Sequence, residues 1–528
     1  MKKSDYGVLF LVAMFFFSLL ATLQKMPGYM DAEYYYGQGI RLVQHHDLIE
    51  TFIWNYLNNP TVVIGQGFTF WLPGTSILAA LGMLISGSTQ FFNARLIFIA
   101  MAAWIPLMAA FFATRFIPTK RAGWLAGLLA LFSGLYLPFL TITETFTPFM
   151  FFGGIFFISI WFANKQFSEG KRFLPWFLLS GFTAGLMSLI RSDGLLWLAG
   201  GWFGIFLIFQ QPVRKLGMII VNLAWILFGF AIVMAPWFIR NLVEFNALFP
   251  SGNGLMPWLT KYDDLFVYPS TLISFSSWIS SGIGVILLDR LKAIGLNLQT
   301  LIAAGGMIFL SPLMVIGFWK KRFFTVIKLT LVMLSAIFVA MTFIFPYAGE
   351  RGGFFHSLSA VQIIFWSLVP VGLESTIHWG VQHRKWVTDR SWKMFGTALV
   401  VVAFIFSALL FQDKLMNGPE SGIPWNQTQS YYVLIDDKLE EITGENKNVI
   451  MVNNPPGYTL ATGRASIMIP TGGAEALLGA SEQYGASYLV LNSERKDIQA
   501  LVDNEAILND YFLFMFEVAG NRVYEVNR

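Results

Sequence analysis

The sequence predicts a mainly α-helical bundle that crosses a membrane about 11–13 times and carries a small α/β domain at its C-terminal end. Of the 528 residues, 55% are hydrophobic and only 12% are charged, about half the charged fraction of a soluble protein. Apolar runs of the roughly 20 residues that a bilayer requires recur along residues 1–411. The absence of cysteine excludes disulfides and thiol chemistry.

Charge divides the chain at residue 411. Residues 412–528 hold 16 acidic and 8 basic residues, whereas residues 1–411 hold 15 acidic and 27 basic ones. We therefore predict a transmembrane domain over 1–411 and a soluble, acidic domain over 412–528. The basic residues are scattered between apolar runs, which argues against a nucleic-acid partner.

The candidate spans follow from the apolar runs. They are 6–24, 70–88, 93–114, 122–140, 146–163, 173–190, 194–210, 216–238, 298–318, 323–345, 357–376 and 393–411. The first follows Met1-Lys2-Lys3 and has no clear cleavage site, so we expect a retained anchor.

The distribution of Lys and Arg predicts the orientation of the bundle. The loops that we assign to the cytoplasm are basic and contain Lys2/Lys3, Arg115/Lys120/Arg121, Lys165/Lys171/Arg172, Arg214/Lys215, Lys320/Lys321/Arg322 and Arg384/Lys385/Arg390/Lys393. The loops assigned to the outside are 25–69, 141–147, 191–193, 239–297 and 346–356, and they hold 11 of the 15 acidic residues in 1–411. We expect a multi-pass protein of the cell (plasma or inner) membrane with its C-terminal domain outside. Runs 70–88 and 93–114 conflict with this assignment if both cross, so one of them should be interfacial or re-entrant.

The first outer loop, 25–69, is long enough to suggest a function. Asp31 and Glu33 lie just beyond the first span and are candidates for a general base or for cation ligands. The alternative for Asp31 is a helix N-cap, where acidic residues are stabilised. Segments 34–46 and 50–57 are predicted to be short interfacial helices.

Further candidates are charged residues between apolar runs. Glu144 is either a functional carboxylate near the membrane or an exposed residue at a loop tip. Arg191 either contacts a lipid phosphate or forms a structural ion pair with Asp193. Arg240 either binds a lipid phosphate or simply extends its charged end to the membrane–water interface.

One later segment concentrates several reactive side chains. Residues 350–356 contain Glu350, Arg351, two glycines and His356. His356 is a candidate metal ligand or proton acceptor, with a structural histidine as the alternative. Most of these residues are on one predicted side, which favours chemistry on a lipid-carried substrate.

The order of these motifs resembles the GT-C superfamily of polytopic glycosyltransferases, especially the group with protein O-mannosyltransferases and lipid A aminoarabinose transferases. The matching pieces are MDAEYY (30–35), FWLPG (70–74), TETFTP (143–148), LIRSDG (189–194), PWFIRN (236–241) and ERGGFFH (350–356). The segments 452–464 and 481–491 also resemble the outer domain of some bacterial members.

The resemblance implies transfer of a sugar from a polyprenyl phosphate to an acceptor hydroxyl at the outer face, with inversion. Asp31 would be the general base, and Glu33 would orient the acceptor or help to bind a cation. Many relatives have adjacent Asp-Glu, whereas Ala32 separates the two acids here. Residues two apart on a helix point to different faces, which argues against joint action of the two acids and favours Asp31 as the base.

The resemblance assigns the remaining candidates to two groups. The arginines would contact the leaving phosphate: Arg191, Arg240 and Arg351. The others would bind substrate or a metal: Glu144, Glu350 and His356. A divalent cation is a possible cofactor, and the sequence identifies neither the sugar nor the acceptor. The competing hypotheses are a transporter or flippase without covalent chemistry, and a membrane scaffold that displays the C-terminal domain.

Alternating patterns predict the elements of the C-terminal domain. They are helices 427–442, 474–484 and 496–509, strands 448–453, 465–469, 487–492, 512–518 and 522–526, and a turn at 454–457. Acceptor binding, a lid and simple stabilisation are the alternatives for its role.

Overall fold

The computed structural model describes residues 1–209, 216–418, 422–444, 448–491 and 511–527, and it confirms a helical bundle with a small C-terminal sheet. The predicted basic pair 214–215 and helix 496–509 lie outside the described residues. Seven helical segments within the described part have the length and composition to cross a membrane. They are Lys3–Leu23, Leu96–Phe116, Phe146–Ser168, Leu216–Phe245, Thr325–Ile344, Pro346–Arg384 and Thr388–Asn417.

The α-helices of the first half are α1 Lys3–Leu23, α2 Met30–Gln44, α3 Gly74–Ser86, α4 Phe91–Ala94, α5 Leu96–Phe116, α6 Lys120–Leu131, α7 Phe146–Ser168, α8 Leu174–Ile190, α9 Leu195–Ile208 and α10 Leu216–Phe245. Those of the second half are α11 Phe275–Ser280, α12 Ile283–Thr300, α13 Ser311–Lys321, α14 Thr325–Val339, α15 Pro346–Ala348, α16 Phe354–Leu358, α17 Gln362–Arg384, α18 Thr388–Asn417, α19 Ser430–Thr443, α20 Pro455–Thr462 and α21 Gly473–Tyr484.

Helix lengths explain why the predicted count of 11–13 exceeds seven. The run 70–88 forms only α3, whose 13 residues rise about 20 Å, less than the roughly 30 Å of a hydrocarbon core. Of the conflicting pair, α5 has the length and composition to cross a membrane, whereas α3 is a shorter apolar helix. The run 122–140 leaves α-helical geometry after Leu131, and the run 298–318 is interrupted between α12 and α13.

The segment 346–356 is a kinked helical segment, so its prediction as a loop was wrong. A wide turn over Gly349–Gly353 joins α15 to α16. The kink falls at Arg351 and Gly352, and Gly352 has a φ of +108°, which glycine adopts without the steric cost of a Cβ. This turn sets the position of His356 on α16.

The first loop joins the C-terminal sheet. Strand β2 (Phe52–Ile53) pairs in parallel with β5 (Ser466–Met468). The six-stranded sheet has the order β2-β5-β4-β6-β8-β7, where the other strands are β4 Val449–Val452, β6 Ala486–Leu491, β7 Phe512–Val518 and β8 Asn521–Val526. The short strands β1 Ile49–Glu50 and β3 Gly65–Gln66 pair with each other. Segment 50–57 is therefore not the helix that the sequence predicted.

Helix α2 lies between the bundle and the sheet. It packs on α3 on one side and on α20 on another. The sequence predicted a turn at 454–457, but helix α20 begins there. Asn454 caps this helix by accepting a hydrogen bond from the Gly457 amide. Within the described residues, the other predicted elements of the C-terminal domain are present with small shifts in their ends. Helix α2 thus connects the two predicted domains.

Candidate active site

Asp31 occupies the first turn of α2, and Tyr29 is the N-cap residue. The alternative in which Asp31 caps the helix is therefore wrong, although its carboxylate still lies where the helix dipole favours negative charge. Gly28 precedes the cap with a φ of +94° and lies against the Trp425 ring, where a Cβ would clash. The close approach of Trp425 fixes the entry into α2 and hence the position of Asp31.

Three sequence-distant side chains meet at this point. Asp31, Glu144 and His356 each offer a ligand atom, and these atoms all lie within 4.8 Å of one another. They come from α2, from the segment before α7, and from α16. The structure thus brings together three residues that the sequence identified separately.

Glu144 is fully buried, so it is not an exposed loop-tip residue. Its Oε1 accepts hydrogen bonds from the Thr145 amide at 2.5 Å and the Thr145 hydroxyl at 2.7 Å. Its Oε2 accepts a bond from the Tyr29 hydroxyl at 2.9 Å. Burial raises the pKa of the Glu144 carboxyl, against the opposing effect of these bonds and of the positive charge of Arg191.

His356 is held by stacking and by polar contacts. Its ring lies 3.9 Å from the Phe146 ring at an interplanar angle of 15°. Its Nδ1 is 2.9 Å from Thr145 Oγ1 and 3.6 Å from Glu144 Oε1. These contacts give the ring one orientation beside Glu144 and Asp31.

Tyr35 follows Asp31 by one helical turn, which places both on the same face of α2. Burial raises the pKa of the Tyr35 hydroxyl well above its ordinary value, and the carboxylates of Glu144 and Asp31 add to this effect. The hydroxyl therefore stays protonated and is available as a hydrogen-bond donor at this face.

Arg191 lies at the C-terminal end of α8. Its Nε donates to Asp193 at 2.8 Å, and Ser357 of α16 donates to the other oxygen of Asp193. The ion pair that the sequence offered as an alternative is therefore present. The two terminal nitrogens of Arg191 make no hydrogen bond within the described part of the chain. They leave positive charge available near Glu144.

Glu33 lies on a different face of α2 from Asp31. Its side chain is buried, and its Oε2 accepts a hydrogen bond from Asn454 Nδ2 at 2.7 Å. The two acids therefore face different parts of the protein, as expected from their spacing. Glu33 contacts the start of α20, and Asp31 contributes to the cluster.

The structure gives the other candidates separate contacts. Arg240 donates to the Gln66 side chain and to the Gly67 carbonyl, both at 3.0 Å, and so holds the first loop against α10. Arg351 is exposed, with its guanidinium 4.8 Å from the centre of the Tyr262 ring. Glu350 forms an ion pair with Lys292 at 2.8 Å.

Sequence reasoning missed several residues that hold the cluster. Tyr29, Thr145 and Tyr35 are hydrogen-bonded to, or electrostatically coupled with, its members. The helical spacing of Tyr35 from Asp31 was the signal available for it. Thr145 adjoins Glu144 in sequence, but nothing in the sequence indicated its contact with His356.

Comparison with known proteins gives the context for this geometry. The chain matches no protein-family model and no curated protein sequence. Among solved structures, it resembles the oligosaccharyltransferase of Archaeoglobus fulgidus with a TM-score of 0.60, at 13% identity over 100% of this chain and 74% of that one. It resembles ArnT from Cupriavidus metallidurans with a TM-score of 0.59, at 11% identity over 99% and 98% of the two chains.

The chain has the GT-C fold. This confirms the fold that the sequence motifs implied. The ArnT structure contains bound undecaprenyl phosphate, and a further structure of the archaeal enzyme contains a dolichol-phosphate and an inhibitory peptide. Another structure of that enzyme is a complex with Zn and sulfate. These ligands belong to the neighbours. The seven described helical segments that are long and apolar enough to cross a membrane support a multi-pass membrane protein.

The chemistry of the donor set is suited to a cation. Two carboxylates and one imidazole are ligands that zinc accepts, whereas magnesium and calcium favour oxygen ligands alone. Because a carboxylate has two oxygens, binding of a cation through one oxygen is compatible with proton transfer at the other. The site thus combines two carboxylates and an imidazole, from Asp31, Glu144 and His356, with the nearby guanidinium of Arg191.

Proposed function

We propose that this chain is an integral membrane glycosyltransferase that moves a sugar from a polyprenyl phosphate to an acceptor hydroxyl. The observation that carries the proposal is the meeting of Asp31, Glu144 and His356 within 4.8 Å. This cluster lies in a chain whose fold is that of membrane glycosyltransferases with lipid-linked ligands. The site and the sheet face the extracytoplasmic side in this proposal, because the loops on the opposite side are rich in Lys and Arg.

Asp31 acts as the general base. Its carboxylate takes the proton of the acceptor hydroxyl while the oxygen attacks the anomeric carbon. The bond from that carbon to the phosphate oxygen breaks on the opposite face of the sugar, so the configuration inverts. The polyprenyl phosphate leaves with the bonding electrons, and the products are the glycosylated acceptor and the lipid phosphate.

Arg191 stabilises the leaving phosphate. Its Nε is fixed by Asp193, while its terminal nitrogens have no hydrogen-bond partner within the described residues. A guanidinium with a fixed stem and open donors suits a phosphate, which accepts two parallel hydrogen bonds. Asp193 is itself held by Ser357, so α16 helps to position Arg191.

A divalent cation belongs to the proposal, with Asp31, Glu144 and His356 as its ligands. When bound, it would supply positive charge that stabilises the negative charge developing on the leaving group. Tyr29 and Thr145 orient the Glu144 carboxylate through their hydrogen bonds. Residues that hydrogen-bond to a metal ligand commonly orient it in this way. Tyr35 is a further donor on the same face as Asp31.

A transfer assay with purified protein tests the function. Full-length protein in detergent is supplied with polyprenyl-phosphate sugars and candidate acceptors, and glycosylated product is measured by mass spectrometry. Asp31→Asn should reduce turnover by roughly 10³-fold, within the usual range for loss of a general base. Asp47→Asn is the matched control, because Asp47 follows the same helix and pairs with Arg41 at a partly exposed position.

Two results would contradict this proposal. Near-normal turnover of Asp31→Asn would remove Asp31 as the base. Movement of an intact lipid-linked substrate between leaflets of a vesicle, without any transfer product, would instead support the transporter alternative.

A further inference from the structure

A pocket lies beside α2, where α1 ends and α5 begins. It is lined by residues 21–22 and 24–27, by Tyr36 of α2, by residues 90–92, by Arg95 and by Gln429 in the connection to α19. Thr22, Lys25 and Phe92 are exposed, so the pocket opens to the surroundings of the bundle. None of its lining residues belongs to the cluster of Asp31, Glu144 and His356.

The pocket is positively charged. Lys25 and Arg95 line it, and its twelve described lining residues include no carboxylate. Gln24 and Gln90 add polar side chains to the wall. A pocket with two cations and no acid favours an anionic ligand.

Arg95 is the central observation. Its side chain is 1% exposed, its Nε donates to the Phe91 carbonyl at 3.2 Å, and its Nη2 donates to the Ala21 carbonyl at 2.9 Å. Its Nη1 is buried without a hydrogen-bond partner, and so is Nε2 of Gln429. A buried donor without an acceptor is costly, so both groups indicate a missing ligand that accepts hydrogen bonds.

Arg95 remains charged despite its burial. Burial lowers the pKa of its guanidinium to about 9, which still leaves the group protonated at neutral pH. The Phe91 ring lies 4.1 Å from the guanidinium carbon and covers it. Arg95 is also the N-cap residue of α5, where the amides of a helix start favour an anion.

We propose that this pocket binds the phosphate of a membrane lipid. Phosphate oxygens accept the forked hydrogen bonds that a guanidinium offers, and Lys25 adds charge at the rim. The lipid source follows from the position of the pocket, because α1 and α5 are both membrane-spanning candidates whose ends meet here. The exposed Phe92 ring gives the acyl chains an apolar surface beside the phosphate-binding groups.

Lipid titration followed by native mass spectrometry tests this site. Delipidated full-length protein in a nonionic detergent is titrated with dioctanoyl phosphatidylglycerol, and bound lipids are counted. Wild type should bind one lipid more tightly than the rest. Arg95→Gln should weaken that event about tenfold or more, as expected for loss of a charged hydrogen-bond donor.

Three further variants make the result specific. Lys25→Gln alters an exposed residue, so it should fold normally and weaken the same event about two- to fivefold. Lys320→Gln removes an exposed positive charge of α13 and should leave binding unchanged. Asp31→Asn should also leave it unchanged, which separates this site from the proposed active site.

The proposal is overturned by any of three outcomes. One is equal affinity of wild type and Arg95→Gln, or of wild type and Lys25→Gln if Arg95→Gln does not fold. Another is inorganic phosphate binding as tightly as the lipid, which would assign the pocket to a soluble anion. The third is loss of the lipid in Asp31→Asn, which would place it at the cluster.

Discussion

The two acids at the start of α2 lie two residues apart and serve different regions of the molecule. Asp31 joins Glu144 and His356 at the bundle, whereas Glu33 accepts a hydrogen bond from Asn454 beside the C-terminal sheet. The helical rotation of about 200° between them accounts for the difference. One short helix therefore carries the proposed base on one face and holds the sheet domain with another. Mutations on the first face should change turnover, and mutations on the second should change the stability of the fold.

The largest expected contrast is between Asp31→Asn and Glu33→Gln. Asp31→Asn should remove nearly all turnover and leave the thermal midpoint close to wild type, because its role is chemical. Glu33→Gln keeps an oxygen that accepts from Asn454, so most turnover should remain. Parallel transfer assays and thermal unfolding in detergent measure both quantities. Equal losses of turnover in the two variants would mean that the faces are not separable.

The next effect concerns the cation ligands on the Asp31 face. Elemental analysis of purified protein should find about one equivalent of a divalent ion, and zinc is favoured by the imidazole. His356→Gln and Glu144→Gln should each lose this metal and lower turnover by about 10- to 100-fold. Chelation should lower the turnover of the wild-type protein, and adding the metal back should restore it. Adding metal should not restore the turnover of the two variants. A metal-free protein with full turnover would leave the cluster with an acid–base role only.

Substituting lysine for arginine tests which guanidinium serves the phosphate. Arg191→Lys keeps a charge but loses the forked donors, so turnover should fall about tenfold. Arg240→Lys is the matched comparison, because Arg240 already donates to Gln66 and Gly67. We expect it to lower the thermal midpoint rather than turnover. A larger loss of turnover in Arg240→Lys would move the phosphate contact to α10.

The face of α2 toward the sheet should yield changes in stability. Asn454→Ala removes both the cap of α20 and the bond to Glu33. Leaving Glu33 buried without this donor should cost about 1–3 kcal/mol of unfolding free energy. Asn448→Ala is a control on the same domain, since its side-chain amide donates to Ser487 rather than to Glu33. Similar melting of the two variants would argue against the Glu33 contact as an anchor.

The smallest expected effect is a pH dependence at Glu50. Tyr34 of α2 and the Phe68 amide both donate to its Oε1, and burial raises its pKa above the ordinary 4.5. The folded protein therefore binds this proton more tightly than the unfolded chain. Stability should fall as pH rises above 4.5 and level off above the raised pKa.

Glu50→Gln checks this sign. The variant keeps the accepting oxygen and should remove this part of the pH dependence, with a thermal midpoint slightly above that of wild type at neutral pH. A lower midpoint would mean that the carboxylate charge stabilises the fold, through Arg240.

Much of this site could be predicted because ionisable residues are rare in the apolar domain. Asp31, Glu144 and His356 stand out in such a sequence, and burying them without function is costly. The helical bundle follows from the apolar runs in the same way. The order of the motifs predicted the GT-C fold, and the similarity to solved structures confirms that fold.

The remaining features depend on contacts between distant residues. Which arginine lies near the cluster depends on how α8, α10 and the kink at Gly352 are placed, and no local pattern encodes these positions. Strand β2 has only two residues, too few for an alternating signal. The bond between Glu33 and Asn454 joins residues 421 positions apart, so neither residue alone indicated it.

The pairing of β2 with β5 imposes an order on biosynthesis. Ile53 emerges from the ribosome early, yet its partner Ile467 follows only after most of the chain has been made. At about 5–20 residues per second, that interval is roughly 20–80 s. During this time β2 lacks its partner strand β5, and α2 lacks its contact with α20. The helix that carries the proposed base Asp31 therefore gains its contacts with the C-terminal sheet domain only after residues 455–468 have been made.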